Sequence, residues 1–333
     1  MTGNSPLGIG IVGAGFVAES HAAAIATDPR LGLSAVFDLD TPAAAAMAAR
    51  FGAARATDLT ELLSRADVEA VIVCTPNDTH VALAEQVAQA GRHLLMEKPL
   101  ALSSSEARRL TKLYADKGLT LLVGHTHRHS AYAIAVKEAI ESGRIGTVRT
   151  MRLAITGGWI WGGWGAWVLD PARSGGHAFH NGVHLYDLAR WWLDSPVQSA
   201  WTCAQHLTAA ALRIDDYLCS TLQTESGAAA VCEISRGERP RAASVFEIVV
   251  QGTRGTLLRT WSSDGIVRLS DDGSGPLTAV GDSPFGRQLV VFEQAIRASG
   301  PVAPPPEHAV EAIAVAEAVE ASARTGDLVR VDG

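Results

Sequence analysis

The stretch Leu7–Ala26, LGIGIVGAGFVAESHAAAIA, decides how this chain folds. It reads as an apolar strand, a tight glycine turn and a helix, in that order. Leu7, Ile9, Ile11 and Val12 form the strand, and Gly13-Ala14-Gly15-Phe16-Val17-Ala18 then matches G-x-G-x-x-A, the spacing of a dinucleotide-binding turn. Gly13 permits the tight turn, Gly15 lets a pyrophosphate approach the backbone, and Ala18 lets the helix lie close to the strand. The first turn of that helix offers N–H groups and a partial positive charge to phosphates. Gly13, Gly15, Phe16 and Val17 are therefore the expected cofactor contacts of the turn. A second register, Gly8–Gly13, also fits G-x-G-x-x-G, but it would bury the phosphate turn inside the apolar run with no strand ahead of it.

The next element supports this reading. Leu31–Phe37, LGLSAVF, is a second strand pattern ending in Asp38. An acid about 20 residues past the fingerprint is placed to bond ribose hydroxyls. Leu39 follows, with no arginine to receive a 2′-phosphate, so NAD is expected over NADP.

Composition narrows the function classes. The chain has 333 residues, 47% of them hydrophobic, and a net charge of −7 with no basic run. That length suggests two domains. Nucleic-acid binding needs a lysine and arginine footprint that is missing here. MTGNSPLG has no charged n-region or long apolar core, and LGIGIV is too short for a membrane span. Cys74, Cys203, Cys219 and Cys232 show no C-x-x-C spacing, which predicts buried free thiols in a reducing cytoplasm.

Up to about residue 123 the chain alternates strand and helix. Thr41–Phe51 reads as a helix capped by Thr41, Val68–Cys74 as an apolar strand, and Thr79–Ala90 as a helix ended by Gly91. His93–Met96 is strand-like, Ser103–Lys117 helical, and Leu119–Val123 the fifth apolar strand. Apolar strands separated by helices predict a parallel sheet covered on both faces, with ligands beyond the strands' carboxyl ends. Those ends carry Thr75-Pro76-Asn77-Asp78-Thr79-His80, Glu97-Lys98-Pro99 and Gly124-His125-Thr126-His127-Arg128-His129. Lys98 stands out, because a lysine beside a buried strand can have its pKa lowered and act as an acid or base.

After residue 130 the pattern changes. Helical Ser130–Ser142 gives way to alternating runs from Val148 to Leu269, which predict a largely antiparallel sheet. Helices near Phe285–Ser299 and over Glu307–Thr325 close the chain. The whole reads as an α/β protein, with the change from a parallel to a largely antiparallel sheet dividing it near residue 124.

Together these motifs resemble the Gfo/Idh/MocA oxidoreductases, named after glucose–fructose oxidoreductase and inositol dehydrogenase. The resemblance rests on Gly13–Ala18, Thr75-Pro76-Asn77 with His80, Glu97-Lys98-Pro99, Arg128, Gly175-Gly176 leading to Gly182-Val183-His184 and Asp187, and the closing Glu320–Gly326. It implies an N-terminal Rossmann domain at 1–124 and a C-terminal α/β domain with an open, largely antiparallel sheet at 125–333, the closing helix 307–325 packing back on the first. It also implies an NAD(P)-dependent enzyme acting on a hydroxyl or keto carbon of a sugar, inositol or related polyol. Thr75, Pro76, Asn77, His80, Glu97 and Lys98 are then cofactor contacts. Lys98, His184 and His180 are the catalytic candidates, and Arg128, His180 and His184 face the substrate. The family often places Asp four positions before its histidine, where this chain has His180. One α-helical turn still puts His180 and His184 on one face, and which of the three groups is the acid or base stays open.

The segment Gly157–Trp167 holds four tryptophans. Trp159 and Trp164 are candidates to stack on a sugar ring, with core or interface packing as the equal alternative. His125, His127, His129, His177, His180 and His184 have spacings that zinc can use, but acidic or cysteine partners at metal-site spacing are missing, so no metal is expected. The other functional readings are an NAD-dependent, glycosidase-like enzyme working through transient oxidation, and a non-catalytic NAD- and sugar-binding regulator. A cytoplasmic homodimer or homotetramer is expected, since relatives pair through the C-terminal sheet.

Overall fold

The computed structural model describes residues 5–158, 166–207, 213–238, 244–259, 265–277 and 281–332. The chain divides into two compact units. One comprises 1–101, 105–126 and 282–309; the other comprises 102–104, 127–281 and 310–333.

The first unit is a parallel sheet with helices on both faces. Its elements are β1 (Leu7–Val12), α1 (Phe16–Thr27), β2 (Leu31–Phe37), α2 (Thr41–Phe51), β3 (Ala54–Arg55), α3 (Leu59–Ser64), β4 (Ala70–Val73), α4 (His80–Gln89), β5 (His93–Glu97), α5 (Ser104–Asp116) and β6 (Leu121–Gly124). The strand order is β3-β2-β1-β4-β5-β6, the doubly wound order whose crevice opens where the winding reverses. That reversal lies between β1 and β4, and the Gly13 turn leaves β1 there. Every residue of β1 and β4 is buried, so their side chains follow an unbroken apolar run rather than alternation. The glycines of the rejected register lie inside β1. A Cβ on Gly8 would stand 1.9 Å from the Asp67 carbonyl oxygen, and one on Gly10 would stand 2.8 Å from Leu62. They are glycine so that neighbouring chain can lie against the strand.

Three local expectations are corrected. Asp40, not Thr41, caps α2, its carboxylate accepting from the Ala43 N–H. The sheet has six strands rather than five, because β3, two residues long, escapes any periodicity argument. A 3₁₀ turn over Asn77–Thr79 precedes α4. The helix Pro284–Ala298, far away in sequence, belongs to this unit and packs on α1, with Leu289 and Phe292 in the same apolar cluster as Ile9, Ala22 and Ile25.

The second unit holds α6 (Ala131–Glu141), β7 (Val148–Gly157), α7 (Pro171–Ser174), α8 (Val183–Leu193), β8 (Val197–Gln205), β9 (Tyr217–Thr224), β10 (Ala229–Ser235), β11 (Ser244–Gly252), β12 (Thr256–Arg259), β13 (Ile266–Leu269) and β14 (Gly275–Leu277). With the helix at Pro284–Ala298 counted as α9, the chain ends in α10 (Glu307–Thr325) and β15 (Val329–Arg330). From Val310 onward α10 groups with this second unit. The nine-stranded sheet runs β14-β13-β12-β11-β7-β10-β9-β8-β15. All its pairings are antiparallel except β7 with β10. Helix α8 packs on β7 and β10 and against α6. The opposite face carries Arg152 paired with both Glu233 and Glu247. The four thiols are free, but only Cys232 is buried; Cys203 is exposed on β8. A thiol on an alternating strand is inward or outward by register alone.

Candidate active site

The glycine turn of the first unit is shaped for an anion. Gly13 sits at φ +96°, and a Cβ there would lie 2.5 Å from the Cys74 carbonyl oxygen, so only glycine serves. A Cβ on Gly15 would meet nothing within 4 Å, which leaves the backbone open to a ligand. Gly15 is also the N-cap of α1 and supplies no side chain to its first-turn N–H groups. Ala18 is fully buried, as close helix-to-strand packing requires. Phe16 is 85% and Leu39 92% exposed, beside the turn and beside Asp38 respectively; apolar side chains so placed suit a flat ligand. Asp38 closes β2, its Oδ2 accepting from the Ala14 N–H at 2.6 Å and its Oδ1 from the Asp40 N–H at 2.7 Å. The acid therefore braces the glycine turn, and each oxygen keeps a further lone pair. These residues fit a nicotinamide dinucleotide, which would supply the hydride chemistry while the protein supplies position and proton transfer.

Beyond the ends of β4 and β5 lies the polar cluster. Thr75 and Pro76 are half-buried and Asn77 is buried. Thr79 Oγ1 donates to the Pro76 carbonyl at 2.7 Å and holds this turn closed. His80, expected as a cofactor contact, is fully buried. Its Nδ1 lies 2.7 Å from the Pro99 carbonyl oxygen and its Nε2 3.0 Å from that of Thr75. It ties the two strand ends together from beneath and presents nothing to a ligand. Glu97, also expected to contact cofactor, turns inward: Oε1 meets His21 Nε2 at 2.8 Å and Oε2 accepts from the Lys98 N–H at 3.3 Å. Burial pushes the Glu97 pKa up, but the His21 bond and the nearby charges outweigh it, and its carboxyl is held below the usual range. Lys98 itself is half-buried at the end of β5.

The second unit gathers the other candidates around α8. Arg128, expected to face substrate, is 5% exposed, and its guanidinium grips Asp187 of α8 with bonds of 2.7 and 2.6 Å. It also lies over the Trp191 ring. Arg128 thus fastens the helix that carries His184 through a bidentate pair. His180 and His184 do not share one α-helix. Ala178–Gly182 is a π-helical turn, and α8 begins at Val183. The wider turn alters the angular step that α-helical spacing assumed. The His184 ring packs edge-on against His127 at 4.6 Å, while His180 packs against Trp167 at 5.3 Å. His127 Nδ1 bonds the Tyr132 hydroxyl, and Arg259 lies over the Tyr132 ring. The π turn is held at its start: Glu320 of α10 accepts from the Ala178 N–H, and burial pushes its pKa up to about 7. His177 is buried and its pKa is pushed down to about 3, by burial and then by the Arg236 cation. His125 and His129 are buried as well. No group of three potential metal ligands occurs among the described residues. Trp159 and Trp164 lie outside the described residues.

Sequence reasoning passed over His21 and Tyr132, and weighed His127 only as a strand-end polar residue and a possible metal ligand. His21 had a legible signal, since it shares the α1 stripe of Ala18, Ala22 and Ile25 and is polar there. Pairing of His127 with His184 joins residues 57 apart and has no local signal.

A Rossmann turn with an open backbone, a lysine after β5 and a second unit built on a large sheet define a nicotinamide-dependent oxidoreductase. Residues 7–125 match the oxidoreductase family with an NAD-binding Rossmann fold, and residues 133–258 match the GFO/IDH/MocA C-terminal domain. The chain belongs to the Gfo/Idh/MocA family. It is 33% identical over 260 residues to inositol 2-dehydrogenase of Rhizobium meliloti strain 1021, covering 74% of each chain. It is 26% identical to levoglucosan dehydrogenase of Pseudarthrobacter phenanthrenivorans, over 76% of this chain and 73% of that one. The crystal structure of GenD2 from gentamicin A biosynthesis, a complex with NAD, superposes with a TM-score of 0.87 at 28% identity, covering 99% of this chain and 97% of that one.

Proposed function

We propose that this protein is an NAD-dependent dehydrogenase of a ring hydroxyl on an inositol, sugar or related polyol, with Lys98 as the proton carrier. The observation that supports it is the pairing, within one unit, of the open Gly13–Gly15 turn with Glu97-Lys98-Pro99 at a nearby strand end. Asp38 at the end of β2, followed by an exposed Leu39 rather than an arginine, favours NAD over NADP. In the oxidative direction Lys98 takes the hydroxyl proton; in reduction the ammonium returns it. His184 and His180 are the second pair of proton-carrying candidates, with Asp187 and Arg128 fixing the helix behind His184. The similarity to inositol and levoglucosan dehydrogenases supports a cyclic polyhydroxyl substrate. The protein is proposed to act in the cytoplasm as a homodimer or homotetramer; no helix among the described residues is long and apolar enough to cross a membrane.

The test is the reduced-nicotinamide absorbance, followed with NAD and then NADP over a panel of inositols, sugars and anhydrosugars. NADH accumulation on a cyclic polyol is expected, with NADP the poorer cofactor. Substrate turnover without net NADH would replace this reading with transient oxidation, and NAD binding without turnover would replace it with a regulator. Light scattering giving a monomer mass would end the oligomer proposal.

A further inference from the structure

Two buried histidines of the first unit, His21 and His80, differ in their hydrogen-bond needs. His21 on α1 has one acceptor before it: Nε2 reaches Glu97 Oε1 at 2.8 Å, and Nδ1 has no partner among the described residues. One ring N–H satisfies it. His80, at the start of α4, has two acceptors: the Pro99 carbonyl at Nδ1 and the Thr75 carbonyl at Nε2. A neutral imidazole has one N–H and one lone pair. With two carbonyl oxygens at 2.7 and 3.0 Å, a neutral His80 would press its lone pair against an oxygen on backbone that strand ends hold in place. Only the doubly protonated ring satisfies both.

Glu97 favours the protonated form of His80 and Lys98 disfavours it, and Glu97 is in turn faced by His21 from α1, Lys98, and the Cys74 thiol at the end of β4. Burial works to lower the His80 pKa, the two carbonyl bonds and Glu97 work to raise it, and the balance of these is downward. The bond count runs the other way and decides the matter, because losing the proton adds a buried repulsion that no neighbour relieves. The cost of an imidazolium in a protein interior is offset by the buried carboxylate close by.

We propose that His80 stands as a permanent imidazolium between the Thr75 and Pro99 carbonyls, where its charge favours the neutral amine of Lys98. It is a positioning residue: it touches neither cofactor nor substrate and acts through the lysine. Coupling is reciprocal, so a lysine charge that opposes the His80 proton is itself opposed by that proton. The functional consequence rests on Lys98 being the acid/base; the charge on His80 does not.

The test begins without catalysis. In the full-length protein labelled with ¹⁵N-histidine, the His80 resonances are assigned by their loss in His80→Asn. Both ring nitrogens are expected at imidazolium shifts from pH 6 to above pH 8, and Glu97→Gln is expected to bring the ring to a neutral form within that range. A lone pyridine-type nitrogen on His80 at pH 7 in the wild type would overturn the proposal. The second measurement is the pH profile of kcat/KM for polyol oxidation. His80→Gln keeps one side-chain N–H donor group but loses the charge, and is expected to move the acidic limb up by about one pH unit, about tenfold slower at pH 7, with the high-pH plateau kept. An unmoved limb beside an imidazolium signal would refute the effect on Lys98. If Lys98→Ala turns over normally, the dehydrogenase mechanism fails while the ¹⁵N result stands by itself.

Discussion

Lys98 and Asp38 each depend on what their neighbours do with the backbone. The Lys98 backbone N–H donates to the buried Glu97 carboxylate at 3.3 Å, which ties down the chain from which its side chain leaves β5. General acid–base catalysis by such a group contributes about 10²–10⁴-fold. Lys98→Ala is therefore expected to lower kcat by about 10²–10⁴-fold in the nicotinamide assay, and near-normal turnover would remove it from the mechanism. Asp38 spends one lone pair of each oxygen on the turn it serves. Its substitution then disturbs the phosphate loop as well as any ribose contact. The position of Lys98 was legible in the sequence as a polar residue ending an apolar strand. The inward turn of Glu97 and His80 was not, because both meet partners that sequence distance hides: Glu97 bonds a helix 76 residues away.

At the scale of elements, α8 shows how a helix is held in one rotation. Its buried Asp187 is bidentate to Arg128, and its buried Trp192 donates from Nε1 to the Ala133 carbonyl of α6. Breaking one side of a buried pair leaves an uncompensated charge and costs about 3–5 kcal/mol, whereas replacing both with apolar groups is often neutral. Asp187→Leu is thus expected to cost about 3–5 kcal/mol in a urea titration, with Arg128→Met in the same chain restoring most of it. Equal losses in the single and double variants would show that the pair has no coupled role. The π turn that precedes α8 was invisible to α-helical spacing. One extra residue in a turn leaves no mark on an apolar pattern only five residues long.

For the molecule as a whole, the second unit carries a buried histidine that the acid limit of stability should report. The His177 pKa is pushed from 6.5 down to about 3, mainly by burial. The folded protein binds that proton less tightly than the unfolded chain does. The stability tied to the neutral ring is therefore complete above about pH 6.5 and drains as pH falls toward 3. His177→Gln has nothing to titrate, so its melting temperature is expected to fall less steeply than the wild type's between pH 6.5 and 4. Parallel slopes would exclude His177 as a source of acid lability.

By itself the sequence determined the order of the main strands and helices of the first unit from β1 to β6. Strand, glycine turn, helix and acid are local in the chain, and each follows from backbone freedom, apolar periodicity or helix-end charge over a few residues. It also placed Lys98 at a strand end and marked the change to an alternating, largely antiparallel sheet. Only the tertiary structure decided that Arg128 serves Asp187, that His80 is a buried tie rather than a cofactor contact, and that the helix Pro284–Ala298 belongs with α1. Those outcomes depend on which distant group meets each donor and each apolar face. A buried polar atom takes whichever partner the packed chain brings to it, and one sequence read residue by residue does not contain that pairing.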